Sequence, residues 1–203
     1  MIRRGILCCA IVLLLMPSWA GADLQSSVRK YRYVQLPPVS LARLHPYEHL
    51  IEYFTSFNYI LPDHKVSKDF IKALILAESG ANPRAVSAKD ALGLGQILLA
   101  TGKRAGRDLY GSKTNFRYVP KEKLRDLSRE DLLDPAVNIL LTCYLIAKYN
   151  YKFDGRLELV LSAWNAGEYT DSLALGQHAP YAETQELIGK VNGYYLGLLR
   201  QRR

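Results

Sequence analysis

Glu78 occupies the position in this chain that most needs a chemical reason. Ile71, Leu74, Ile75 and Glu78 fall at i, i+3, i+4 and i+7, so a carboxylate takes the next place on an apolar helical stripe. Gly80 and Pro83 follow and stop the helix, which puts the acid at its C-terminal end. Burial disfavours a charged carboxylate, and the negative end of a helix dipole pushes the same way. Both raise the pKa, and a carboxyl that stays protonated near neutral pH is what general acid catalysis requires. The other reading is a glutamate at the helix edge that turns out to water, and position alone leaves both open. A second pattern, His45-Pro46-Tyr47-Glu48-His49, matches the H-x-x-E-H arrangement of inverted zinc proteases, in which two histidines share a helix face. Pro46 argues against it, because a first-turn proline leaves His45 before the helix and off the face of His49. Cys143 falls on an apolar stripe with Ile139 and Leu140 and reads as core rather than nucleophile.

The elements that must position these residues read as helices. Residues 23 to about 45 are tyrosine-rich and basic and are broken by Leu36-Pro37-Pro38, the pattern of an extended lead-in. A helix can open at Pro46, with Ile51, Phe54 and Phe57 on one side. The helix of Glu78 runs from about Lys68 to Ser79 with Ser67 as its cap, and another follows Thr101. Asp134-Pro135, a capping acid and then a first-turn proline, opens the apolar run AVNILLTCYLIAKYN. Asp154-Gly155 turns the chain into RLELVLSAWNAG, which Gly167 ends. The last helix spans about Ala182 to Leu199 and carries Gly189, Gly193 and Gly197 four apart, a spacing that lets another helix approach closely. No alternating strand pattern stands out. The expected class is mostly α.

The first 22 residues pair a basic start, MIRRG, with the apolar ILCCAIVLLLM and small residues at Ala20 and Ala22. That is the pattern of a secretory signal peptide cut before Asp23; the apolar run is short for a membrane span. Cys8 and Cys9 lie inside this run, too near the start for a lipid-bearing cysteine. About 180 residues remain, enough for one well-buried domain. They keep Cys143 as their single cysteine, so packing rather than an internal disulfide must hold the exported fold. With 27 basic against 19 acidic residues the formal charge is +8, which suits an anionic partner such as a cell wall or membrane surface. No clustered basic and aromatic motif points to nucleic acid.

Four further stretches join the Glu78-Ser79 pair. Asn82-Pro83-Arg84-Ala85-Val86-Ser87 is followed by ALGLGQI (91–97), by SAWNAG (162–167) and by APYAET (179–184). In order and spacing they resemble the soluble lytic transglycosylase family, whose E-S pair precedes a proline and serine segment, then G-L-M-Q, A-Y-N-A-G and often Y-x-E-T. The resemblance covers roughly Ile60 to Tyr195 and implies a lysozyme-like fold for a catalytic domain at 46–203. It implies Glu78 as the catalytic acid and Ser87, Gly93, Gln96, Trp164, Asn165, Tyr181 and Glu183 as substrate-binding residues. Gly93 would permit a close backbone approach to the sugar or merely a tight turn. Gln96 would hold an N-acetyl group or orient the acid, and Ser87 would line the same cleft or cap a helix. Three departures stand out. Gly95 replaces the family methionine, Leu98-Leu99 replaces methionine-proline, and Trp164 replaces the tyrosine whose hydroxyl can bond the acid. An indole can still stack on a sugar or donate its N–H.

The mechanism implied by the resemblance needs one protein carboxylate and no cofactor or metal. Glu78 would protonate the oxygen between N-acetylmuramic acid and N-acetylglucosamine, then act as base while the muramyl 6-hydroxyl closes on its own anomeric carbon. A hydrolytic muramidase instead needs a second acid, for which Asp90 is the candidate. A wall-binding protein that has lost turnover is the non-enzyme alternative. Peptidoglycan strands are the expected partner and the periplasm or cell wall the expected place. Targeting by an envelope assembly, such as a secretion or motility machine, stays open.

Overall fold

The computed structural model describes residues 23–62 and 65–201, so the expected signal peptide lies outside the described residues. Helices dominate: α1 (Leu24–Tyr31), α2 (Pro38–Leu44), α3 (Glu48–Thr55), α4 (Lys68–Ser79), α5 (Leu99–Gly111), α6 (Arg129–Leu133), α7 (Pro135–Lys152), α8 (Leu157–Ala166), α9 (Asp171–Ala174) and α10 (Ala182–Gln201). Among the described residues, β structure is confined to isolated bridges, two of which, Val86 to Leu92 and Leu92 to Ile97, shape the loop between α4 and α5.

The caps are those the side chains dictate. Ser67 accepts the Phe70 N–H at the start of α4, and Gly80 ends that helix at φ 58°, with its N–H on the Leu76 carbonyl at 3.2 Å. Asp134 accepts the N–H groups of Ala136 and Val137 at 2.8 and 3.3 Å, and Pro135 occupies the first turn of α7. α7 runs through the core, with Ile139, Leu140, Leu141 and Cys143 fully buried. On α4, Ile71, Leu74 and Ile75 have no exposed surface, and each contributes roughly 1.5–3 kcal/mol by leaving water. α10 packs on α1, α4 and α8, so it braces the two helices whose last turns carry the site.

The lead-in is not extended. Asp23 accepts the Gln25 N–H at 3.3 Å and opens α1, and Pro38 is the first residue of α2 rather than a break in an extended strand. α1 lies against the spaced glycines of α10. A methyl group on Gly189 would stand 2.6 Å from the Ser27 carbonyl oxygen, and one on Gly193 would stand 2.3 Å from that of Tyr31. The glycine spacing therefore does admit a close helix, and the visitor is the segment read as extended. The reason is that α1 docks through small groups. Its Leu24, Ser27, Val28 and Tyr31 fall at i, i+3, i+4 and i+7, but only Ser27 is buried, so the stripe is short and partly exposed.

Candidate active site

Three helix ends meet at one cleft. The last turn of α4 supplies Glu78, the last turn of α8 supplies Trp164 and Asn165, and the first turn of α10 supplies Glu183. The loop between α4 and α5 closes the remaining side with Ser87 and Gln96. The cleft encloses about 680 Å³ including its open mouth, within the range of small-ligand sites.

Glu78 lines this cleft with its carboxyl largely removed from water, and burial pushes its pKa up to about 7. The Trp164 indole N–H donates to its Oε1 at 2.7 Å, and the ammonium of Lys190 lies within electrostatic reach; both favour the charged form and limit the rise. The charge of Glu183 adds to the rise. Lys190 Nζ donates to the Ala77 carbonyl at 2.8 Å, so the same cation caps the end of α4. Ser79 ties that end to the loop, its hydroxyl donating to the Leu94 carbonyl at 2.8 Å.

The loop residues are held by their own backbone. Gln96 adopts φ 53° and its amide N–H groups donate to the carbonyls of Gly93 and Ala85 at 2.9 and 3.2 Å, which leaves Oε1 as its remaining acceptor. Ser87 caps no helix. Its Oγ accepts from the N–H groups of Lys89 and Ala91 at 3.2 and 3.0 Å and fixes the turn beneath the cleft rim. Asn165 Oδ1 accepts from the buried Thr184 hydroxyl at 2.6 Å, which locks α8 to α10. Glu183 forms an ion pair with Lys89, another lining residue, and that ammonium holds its carboxyl below the usual range.

Two expected site residues stand elsewhere. Gly93 is buried at φ 72°, and a methyl group there would stand 2.5 Å from both Asn138 Nδ2 and the Leu132 carbonyl. Its close backbone approach is to α6 and α7, and it lies outside the cleft lining. Tyr181 is 54% exposed and lies outside the cleft lining. Gly95 has the same explanation as Gly93: its N–H donates to Asn138 Oδ1 at 2.7 Å, and a methyl group would stand 2.4 Å from Thr142 Oγ1. The glycine at the family methionine position is thus a packing requirement of Asn138 and Thr142.

Asp90 stands apart from the cleft. It is exposed at φ 63°, outside the cleft lining, and paired with Arg129, which holds its carboxyl below the usual range. In the H-x-x-E-H stretch, Glu48 gives its carboxylate to Lys72 at 2.6 Å, and His49 stacks edge-on against Tyr118 at 5.7 Å. His45 belongs to a short 3₁₀ turn ahead of α3. Residues that sequence reasoning missed are Lys89, Thr101, Leu145 and Tyr149 in the lining, and Asn138 behind the loop. Asn138 left a legible signal, an amide set among the apolar residues that open α7.

The profile of the family described as Transglycosylase SLT domain matches residues 56–185. The membrane-bound lytic murein transglycosylase C of Shigella sonnei is 38% identical over 109 residues, which cover 50% of this chain and 27% of that protein. The soluble lytic transglycosylase SLT70 of Escherichia coli superposes with a TM-score of 0.60 at 21% identity, over 77% of this chain and 24% of its own. An inactive variant of lytic transglycosylase Slt from Pseudomonas aeruginosa superposes with a TM-score of 0.54 at 19% identity, over 88% of this chain and 28% of its own. The chain thus spans about a quarter of the length of the relatives it matches. With a helix-end carboxyl bonded by an indole and sharing an open cleft with the loop glutamine, this mostly α, lysozyme-like chain belongs to the Transglycosylase SLT domain family.

Proposed function

We propose that the chain is a peptidoglycan lytic transglycosylase in which Glu78 is the single catalytic carboxyl. One observation carries the reading: Glu78 is the cleft carboxyl whose pKa sits near 7, so it exchanges its proton readily at neutral pH. In the first step Glu78 gives its proton to the oxygen linking N-acetylmuramic acid to N-acetylglucosamine, and the bond from that oxygen to the muramyl anomeric carbon breaks. In the second, the muramyl 6-hydroxyl attacks the same carbon and the Glu78 carboxylate takes its proton. The product is a 1,6-anhydromuramyl end, no water is consumed, and Glu78 returns to its acid form. Ser87, Gln96, Trp164, Asn165 and Glu183 are the groups that meet the sugar. The site residues all lie in one domain braced by α10, and the basic charge of the chain suits an anionic wall in the cell envelope.

A hydrolytic reading draws on Glu183, the other carboxylate of the lining. Its pairing with Lys89 keeps it charged, which suits a base that activates water. Digestion of purified peptidoglycan followed by mass analysis separates the two. Products lighter by one water than the hydrolytic fragments are expected, and products that all carry water would overturn the single-acid reading. Glu78→Gln should lower turnover by roughly 10²- to 10⁴-fold with binding to the wall retained. Full activity in that variant would remove Glu78 from its role. Wall binding by the wild type without any released fragment would favour a non-catalytic binding protein.

A further inference from the structure

Past the cleft floor, three elements that line it carry charge one turn further on. Thr101, Leu145 and Asn165 line the cleft; Arg104, Lys148 and Glu168 each follow three residues later. On α5 and α7 that spacing places both members of a pair on one helix face. Glu168 is buried, its side chain 4% exposed, and receives Lys148 at 3.1 Å on one oxygen and Lys152 at 3.1 Å on the other. Arg104 approaches at 4.0 Å. The Lys152 ammonium also donates to the Glu168 carbonyl at 3.0 Å and stands 4.5 Å over the exposed ring of Tyr169.

The two lysines have a structural purpose, since they pin the residue after Gly167 onto α7. Arg104 does not share it: its contact is the longest of the three and its side chain is 48% exposed. One buried carboxylate therefore faces three cations, and the surplus positive charge lies on a wall continuous with the cleft. Tyr149 makes that continuity explicit, because it lines the cleft and lies within electrostatic reach of both Glu168 and Arg104. Packed cations with a fork-shaped guanidinium at their exposed side favour a carboxylate as the outside partner.

We propose that Arg104, Lys148 and Lys152 form an anion subsite at the end of the cleft that receives a carboxylate of the peptide stem borne by the muramyl sugar. The inference rests on the peptidoglycan reading of the cleft and adds a substrate preference to it: strands that keep their stems bind better than strands stripped of them. Arg104 is the outer ligand, and Lys148 and Lys152 set the field behind it.

The test is binding rather than turnover. The full chain carrying Glu78→Gln is titrated with soluble glycan strands that keep their peptide stems, and with the same strands after an amidase has removed the stems. The parent should bind the stem-bearing strands on the order of 10-fold tighter, as expected for one charge-assisted contact. Adding Arg104→Gln should remove most of that preference and leave affinity for stripped strands unchanged. Lys148→Gln, tested with its melting temperature as a check on folding, should weaken the preference in the same direction. Equal affinity of the parent for both strands overturns the subsite while leaving the peptidoglycan reading in place. So does an Arg104→Gln loss that is the same on both strands, because a purely structural lock would act that way. A parent that binds neither strand sinks both the reading and the subsite.

Discussion

At the scale of single residues the site turns on one hydrogen bond. Trp164 supplies the donor that bonds the acid, taking over from a family tyrosine, and its N–H reaches Glu78 at 2.7 Å. A donor to a carboxylate favours the charged form, so removing it should raise the Glu78 pKa further. If Glu78 must be protonated to act, kcat/KM on peptidoglycan falls as pH rises through its pKa, about 7 in the wild type. Trp164→Phe should move that limb upward by about one pH unit, since one such bond contributes about 1–1.5 kcal/mol. Trp164→Tyr, which restores a donor, should move it less. A limb that stays in place in Trp164→Phe would show that the indole acts only as a platform for the sugar. The acid and its donor were both legible in the sequence, one as a misfit on an apolar stripe and the other as a departure from a pattern. Gly93 and Tyr181 lie outside the cleft lining, because a motif records that a residue belongs to a segment without recording which way the segment faces.

The helices set how much of the fold could be read. α4, α7 and α8 announced themselves by period, cap and stop, and each lies where those signals put it. α1 did not, because its apolar stripe is short and partly exposed and its closest contacts are with Gly189 and Gly193. The glycines were legible on α10 while their partner was not; a close-approach stripe names the gap and not what fills it. Lys30 and Tyr31 then bond Glu186 at the edge of the same contact. Gly193→Ala tests this packing. The added methyl would meet the Tyr31 carbonyl at 2.3 Å, so α1 must shift, at a cost of about 1–3 kcal/mol. The melting temperature should fall by several degrees, while kcat/KM measured well below the transition stays near the wild-type value. Glu183 and Thr184 lie between two and three turns away on α10, and the site is held there by α4 and α8. A large loss of activity at unchanged stability would instead make α1 part of the catalytic machinery.

For the molecule as a whole, the acid proposed to serve the reaction weakens the fold. Glu78 has an ordinary pKa of 4.5 when the chain is unfolded and about 7 when it is folded. The folded state therefore holds the proton more tightly, and stability drawn from that proton is fully present below pH 4.5 and lost as pH rises through 7. Across that window the loss amounts to at most about 3 kcal/mol, a sizeable part of the 5–15 kcal/mol that holds a typical domain folded. Trp164 and Lys190 reduce it without cancelling it. Glu78→Gln keeps the shape and an oxygen for the indole N–H but cannot ionise. Its melting temperature should match the wild type near pH 4.5, exceed it increasingly between pH 5 and 7, and hold a constant lead above pH 8. The shape of that difference is more diagnostic than its size. Other carboxylates titrate in both proteins and cancel, so the pH at which the rise levels off reports the Glu78 pKa in the folded chain. A lead that is flat from pH 4.5 to 8 would mean that Glu78 titrates like an exposed side chain, and the buried acid at the end of α4 would lose its claim to the chemistry.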